Sequence, residues 1–117
     1  MKRICCLFII CLLITGCGYN YQTIDANRAM ELINEGETIV IDVRNADEFS
    51  TGHIAGAVNI PLNNIESISY DKDAKIILYC ASGVRSLEAT KKLDELGYTN
   101  LYNLDGGILN WGFELEE

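Results

Sequence analysis

Positive charge is scarce in this chain. Nine Lys and Arg stand against 17 Asp and Glu among 117 residues, a formal net charge of −8 at pH 7. An acidic surface argues against nucleic acid as a partner and against charge-driven adhesion to anionic lipid. Histidine occurs once, at His53, and proline once, at Pro61. With one histidine and no Cys/His spacing of ligand type, no metal site is visible, nor is a glycine-rich nucleotide loop. There is no internal repeat and no low-complexity tract. No apolar run reaches the ~20 residues of a membrane-spanning helix. The longest, Ile4 to Ile14, has eleven.

That run follows Lys2 and Arg3 and leads into Thr15-Gly16-Cys17, the order of a secretion signal. Ile14-Thr15-Gly16-Cys17 resembles the bacterial lipobox. The resemblance implies cleavage after residue 16, a lipid on Cys17 and an extracytoplasmic domain held at a bacterial membrane; an ordinary secreted protein cut near a cysteine is the plainer alternative. Without residues 1–16, 101 residues remain, and the basic count falls to 7 against 17 acids, a net charge of −10. About 100 residues can bury enough apolar surface for one domain without staples. The expected organisation is a signal over 1–16, a short linker over 17–22 and one domain over 23–117.

Cysteine is then nearly absent as well. Of five, Cys5, Cys6 and Cys11 leave with the signal and Cys17 becomes a thioether, so Cys80 is the one thiol left. An exported domain would ordinarily use disulfides, and none can form within this one. A lone thiol kept there is either buried and inert or retained for its reactivity.

The rest of the chain alternates two patterns. Asp25 can cap a helix over Ala26 to Asn34 that places Ala29, Met30 and Ile33 on one face before Gly36. TIVIDV (38–43) is a continuous apolar run, as a strand buried on both faces requires. A short helix over Ala46 to Ser50, a turn at Gly52 and the strand AVNIPL, closed by Pro61, follow. Asn64 to Ser69 allows another short helix before the strand KIILY (75–79). The next helix places Ala89, Leu93 and Leu96 together, pairs Glu88 with Lys92, and stops at Gly97. TNLYNL gives a fourth strand, and Asp105-Gly106-Gly107 leads to an amphipathic turn with Leu109, Trp111 and Phe113. Such alternation predicts an α/β domain around a mainly parallel central sheet flanked by helices.

Ligands of such sheets gather at the carboxyl ends of the strands, where Cys80 stands. The loop CASGVRS (80–86) hands over to a helix N-terminus, whose free N–H groups and dipole favour an anion. Gly83 permits a turn in which successive amides face one point. A cysteine there ionises well below its usual pKa of ~8.5 and becomes a nucleophile without a base. His53 belongs to a different segment.

CASGVRS after an apolar strand resembles the active-site loop of rhodanese-like sulfurtransferases. IDVRNADEFSTGHIAGAVNIPL (41–62) is similar to that family's upstream signature, and LDGGILNWGF (104–113) to its closing segment. The resemblance implies a rhodanese domain in which Cys80 carries sulfane sulfur as a persulfide. Ala81, Ser82, Gly83, Val84, Arg85 and Ser86 would bind the substrate, Arg85 by attracting an anionic donor. Ser82 and Ser86 either donate to sulfur or cap the helix. Asp42, Arg44 and Glu48 read as a supporting ion-pair framework beneath the loop, and His53 as a hydrogen-bonded packing residue. Gly56, Gly106 and Gly107 read as turns, and Trp111 as core, with a place on the pocket wall the alternative. Four residues separate Cys80 from Arg85, whereas the phosphatases and arsenate reductases of related fold have five. The tighter ring suits one extra sulfur atom.

The implied reaction takes sulfur from a small donor such as thiosulfate, polysulfide or a persulfide and gives it to a thiol or cyanide. It needs no cofactor beyond the covalent intermediate. The expected protein is a monomer, attached to a membrane through Cys17, with no nucleic-acid partner. A module that binds sulfur or docks to a partner without turnover would read alike, whereas a thiol oxidoreductase would lack a resolving cysteine.

Overall fold

The structure, a computed structural model, describes residues 19–117. The expected secretion signal over 1–16 and the expected lipid site Cys17 lie outside the described residues. Five parallel strands form the central sheet in the order β1-β6-β5-β2-β4. They are β1 Tyr21–Ile24, β2 Thr38–Asp42, β4 Val58–Asn59, β5 Lys75–Tyr79 and β6 Leu101–Leu104. The crossovers carry three α-helices, α1 Ala26–Glu35, α2 Ala46–Ser50 and α3 Val84–Glu95, and a 3₁₀ helix, Leu62–Ser67; a second 3₁₀ helix, Gly107–Asn110, follows β6. Outside the sheet, β3 His53–Ile54 pairs antiparallel with β7 Leu115–Glu116.

The apolar runs are explained by a core on each face. Along β5, Ile76 and Leu78 join Ile41, Val43, Ile65, Ala89, Leu93 and Tyr98 on one side. Ile77 and Tyr79 join Ile24, Ala29, Leu32, Val40 and Leu104 on the other. Side chains of a strand alternate between faces, so only a strand covered on both can be apolar throughout. Full burial of each such Ile or Leu stabilises by about 1.5–3 kcal/mol.

α1 starts at Asp25, whose carboxylate accepts from the Arg28 N–H at 2.8 Å, and buries Ala29 and Leu32. Met30 and Ile33, expected to lead that face, are half-buried flanks. α3 buries Ser86, Ala89, Thr90 and Leu93 at helical spacing. Leu96 is 41% exposed because it follows the last turn, and Tyr98 fills the core instead. The Glu88–Lys92 pair forms, at 3.9 Å.

The short elements differ more from expectation. Residues 21 and 22, read as linker, belong to β1, which lies beside β6 at the sheet edge with Tyr21 opposite Leu101 and Ile24 opposite Leu104. Its two middle residues, Gln22 and Thr23, are polar and exposed, so it offered no apolar run to find. The AVNIPL strand shrinks to Val58–Asn59, since Pro61 has no N–H for a ladder and instead opens the 3₁₀ helix at Leu62. Of the three closing residues only Trp111 is buried, at 8%, against 76% exposure for Leu109 and 39% for Phe113. Among the described residues no helix is long and apolar enough to cross a membrane.

Candidate active site

Cys80 follows β5 directly and continues the alternation that puts Ile76 and Leu78 on the α3 side of the sheet. Its sulfur therefore lies beneath the N-terminus of α3. The chain turns at Gly83, whose φ is +104°, and α3 begins at Val84 with no side-chain cap. The sulfur acts as the cap: Sγ accepts from the amides of Gly83 at 3.1 Å and Ser86 at 3.4 Å. Neither serine caps the helix. Ser82 is exposed and Ser86 is fully buried. The Ser86 hydroxyl lies 3.5 Å from Sγ and donates to Asn103 Oδ1 at 2.6 Å.

Cys80 is 1% exposed. Burial pushes its thiol up, but hydrogen bonding at the sulfur, from Ser86 and from the amides of Gly83 and Ser82, outweighs it and leaves the thiol below its ordinary range. The arrangement suits a thiolate, since hydrogen bonds to a charged form favour that form.

The far side of the loop is held by the closing segment. Ile108 N–H donates to Cys80 O at 2.9 Å, and Leu109 N–H to Ala81 O at 3.1 Å. With both carbonyls tied outward, the loop's amides are free to face the sulfur. Gly107 makes this approach possible: a Cβ there would lie 2.5 Å from both carbonyl oxygens, and its φ is +58°. Read from sequence as a turn, Gly107 is a contact residue of the loop. Asn103 was not singled out, and only the pairing of β6 beside β5 reveals it.

The charged residues expected as one framework divide into two pairs. Arg44 packs against Asp42 with Nε 3.0 Å from both carboxylate oxygens and Nη2 2.7 Å from Oδ2. The side chains are 7% and 0% exposed. Arg44 Nη2 also donates to Gly52 O, while Asn59 Nδ2 donates to the carbonyls of Asp42 and Arg44. This pair braces the end of β2. Glu48 instead binds Arg85, with Nη1–Oε1 at 2.9 Å and Nη2–Oε2 at 3.0 Å. Arg85 hydrogen bonding and charge hold the Glu48 carboxyl down at about 2. The loop's one cation, expected to face a donor, is thus already paired.

The remaining residues are structural. His53 stacks on Phe49 with centroids 3.7 Å apart, and its Nδ1 lies 2.9 Å from Phe49 O. Trp111 packs among Tyr79, Leu104 and Ile54, which places it in the core. Tyr79 accepts the Ile54 N–H on its hydroxyl at 3.0 Å. Gly56 lies in the turn closed by Ala57 N–H to Ile54 O. Among the described residues, no three His, Cys, Asp or Glu side chains cluster as metal ligands.

Residues 25–114 match the model of the rhodanese-like domain. The chain belongs to that family. A rhodanese-related protein of Thermoplasma volcanium is 32% identical, with a TM-score of 0.72 over 82% of this chain and 98% of its own. A human single-domain sulfurtransferase is 28% identical, with a TM-score of 0.72 over 76% of this chain and 93% of its own. A tRNA uridine(34) hydroxylase of Erwinia tasmaniensis is 30% identical over 94 residues, 74% of this chain but 27% of that protein. This rhodanese-like chain thus spans about a quarter of the length of the curated hydroxylases it matches. At the level of the family, its chemistry is sulfur transfer.

Proposed function

We propose that this rhodanese-like protein is a sulfurtransferase carrying sulfane sulfur on Cys80. The observation that carries the reading is the convergence of the Gly83 and Ser86 amides on one buried sulfur at a helix N-terminus. The Cys80 thiolate attacks the outer sulfur of thiosulfate, the S–S bond breaks, and sulfite leaves with the bonding pair, giving a Cys80 persulfide. An acceptor thiolate or cyanide then takes the outer sulfur and restores the Cys80 thiolate. The persulfide is itself an anion, so the amides that hold the thiolate also suit the intermediate. Ala81, Ser82, Gly83, Val84, Arg85 and Ser86 form its surroundings, and Asp42, Arg44 and Glu48 support them. Polysulfide or a persulfide could replace thiosulfate as donor.

The hydroxylase name belongs to proteins of which this chain covers about a quarter, and a net charge of −8 is unsuited to binding tRNA. The single-domain sulfurtransferase neighbour, matched over 93% of its length, is the closer guide to what this chain does alone. Intact mass after treatment with thiosulfate or polysulfide tests the reading. A gain of one sulfur atom, lost on adding cyanide or a thiol and absent from Cys80→Ala, is expected; no gain from either donor refutes it. The 1% exposure of Cys80 favours a second reading, a sulfur-holding or docking module without turnover. In that case the loaded protein would pass sulfur to a thiol no faster than a free persulfide does.

We further propose that the monomer works outside the cytoplasm, anchored by lipid on Cys17, as the lipobox-like junction suggests. Cys17→Ala should appear in the soluble fraction or remain uncleaved. A mutant that is membrane-bound at mature size would count against lipidation.

A further inference from the structure

We propose that Glu48 is a specificity-determining residue: its two-point pairing with Arg85 removes the loop's one positive charge and tunes the site to sulfur donors of low charge that carry an apolar group. This deepens the sulfur-transfer reading and depends on it. The pair is made through both guanidinium Nη atoms, at 2.9 and 3.0 Å, so Arg85 offers an incoming anion little net charge. Ala81, Ser82, Gly83 and Val84 bring none. The residues flanking the loop are apolar and outward: Val84 is 75% exposed and Leu109, whose amide is bonded to Ala81 O, is 76% exposed. A dianion approaching this mouth meets a chain of net charge −8, and the loop's own cation is already paired with Glu48.

Thiosulfonates, R–SO₂–S⁻, are donors that fit. They present the same terminal sulfur as thiosulfate, with one charge fewer and an apolar R. The Cys80 thiolate attacks that sulfur, the bond to the sulfonyl sulfur breaks, and sulfinate, RSO₂⁻, leaves with the electron pair. The product is the Cys80 persulfide anion.

Glu48→Gln isolates the charge. Glu48 forms a capping box with Asn45, accepting the Asn45 N–H at 3.1 Å while its own N–H reaches Asn45 Oδ1 at 2.9 Å, and glutamine can keep both contacts. The experiment measures kcat/KM for thiosulfate and for benzenethiosulfonate in the parent, in Glu48→Gln and in Leu109→Ser, each normalised to the rate of Cys80 alkylation by iodoacetamide at the same pH. The parent should prefer benzenethiosulfonate. Glu48→Gln should raise the thiosulfate value roughly tenfold and the benzenethiosulfonate value roughly threefold, because a freed cation attracts a dianion twice as strongly as a monoanion. Added salt should leave the parent's thiosulfate rate level or raise it, and should lower that of Glu48→Gln. Leu109→Ser should weaken benzenethiosulfonate alone. Equal changes for both donors in Glu48→Gln, no change in either, or a parent rate with thiosulfate that falls steeply with salt would overturn the assignment to Glu48. A parent that is alkylated but takes sulfur from neither donor would overturn the sulfur-transfer reading itself.

Discussion

Replacing Gly107 with alanine should damage both the stability of this domain and the reactivity of its thiol. The new Cβ would stand 2.5 Å from Cys80 O and from Ala81 O and 2.6 Å from Ala81 C. All three are backbone atoms, so no side-chain rotation relieves the contact. The closing segment must back away from the loop, and the bonds from Ile108 N–H to Cys80 O and from Leu109 N–H to Ala81 O go with it. Each such bond is worth about 1 kcal/mol net. A left-handed conformation at a residue with a Cβ adds about 1–2 kcal/mol. The sum, ~3–4 kcal/mol, corresponds to a fall in Tm of roughly 12–30 °C for a domain of this size. Once the two carbonyls are released, the amides no longer converge on Sγ and the thiol rises toward its ordinary range. Alkylation at neutral pH then slows, roughly tenfold for each pKa unit. Thermal unfolding and the pH dependence of iodoacetamide alkylation measure the two effects. Gly112→Ala is the control, because nothing lies within 4 Å of its Cβ position. A Gly107→Ala protein with Tm within ~2 °C of the parent, a change worth under ~0.5 kcal/mol, and an unchanged alkylation profile would refute the clamp.

Ser86→Ala leaves the buried Asn103 Oδ1 without its 2.6 Å donor. The stability loss should be about 1–3 kcal/mol, measurable by urea unfolding. Asp42→Asn leaves Arg44 charged in a site where its side chain is 7% exposed, and should cost about 3–5 kcal/mol by the same assay. For Glu48 the folded carboxyl lies at about 2, below its ordinary 4.5. The stability it contributes is therefore fully present above pH 4.5 and is lost as pH falls through about 2. Its side chain is 34% exposed and that of Arg85 38%, so screening limits the gain to about 1 kcal/mol. Glu48→Gln should remove that part of the acid dependence when Tm is followed from pH 5 to pH 2.

Some features of this protein could be read along the chain because they are local. The apolar runs of β2 and β5, the capping at Asp25, and the change from strand to helix across CASGVRS depend on neighbours a few residues apart. Cys80 could be placed at the carboxyl end of a strand, and Gly83 in its turn, before any tertiary contact was known. The parallel α/β class followed from the alternation alone. What stayed hidden were the elements too short or too polar to leave a pattern. β1 lies at a sheet edge with Gln22 and Thr23 both exposed, and β3 and β7 are two residues each.

Only the tertiary structure decided which distant groups meet at the site. Glu48 lies 37 residues from Arg85, and Ser86 lies 17 from Asn103. By sequence, Glu48 could as well have joined Asp42 and Arg44. The sheet order settles these partnerships. Because β6 lies beside β5, Asn103 comes under α3 and the turn after β6 reaches the carbonyls of Cys80 and Ala81. Because β2 lies on the other side of β5, the helix that follows it brings Glu48 to Arg85. Periodicity shows which face of an element is buried, but it carries no information about which element becomes its neighbour. That choice depends on the packing of the whole chain, and here it determines the charge around Cys80.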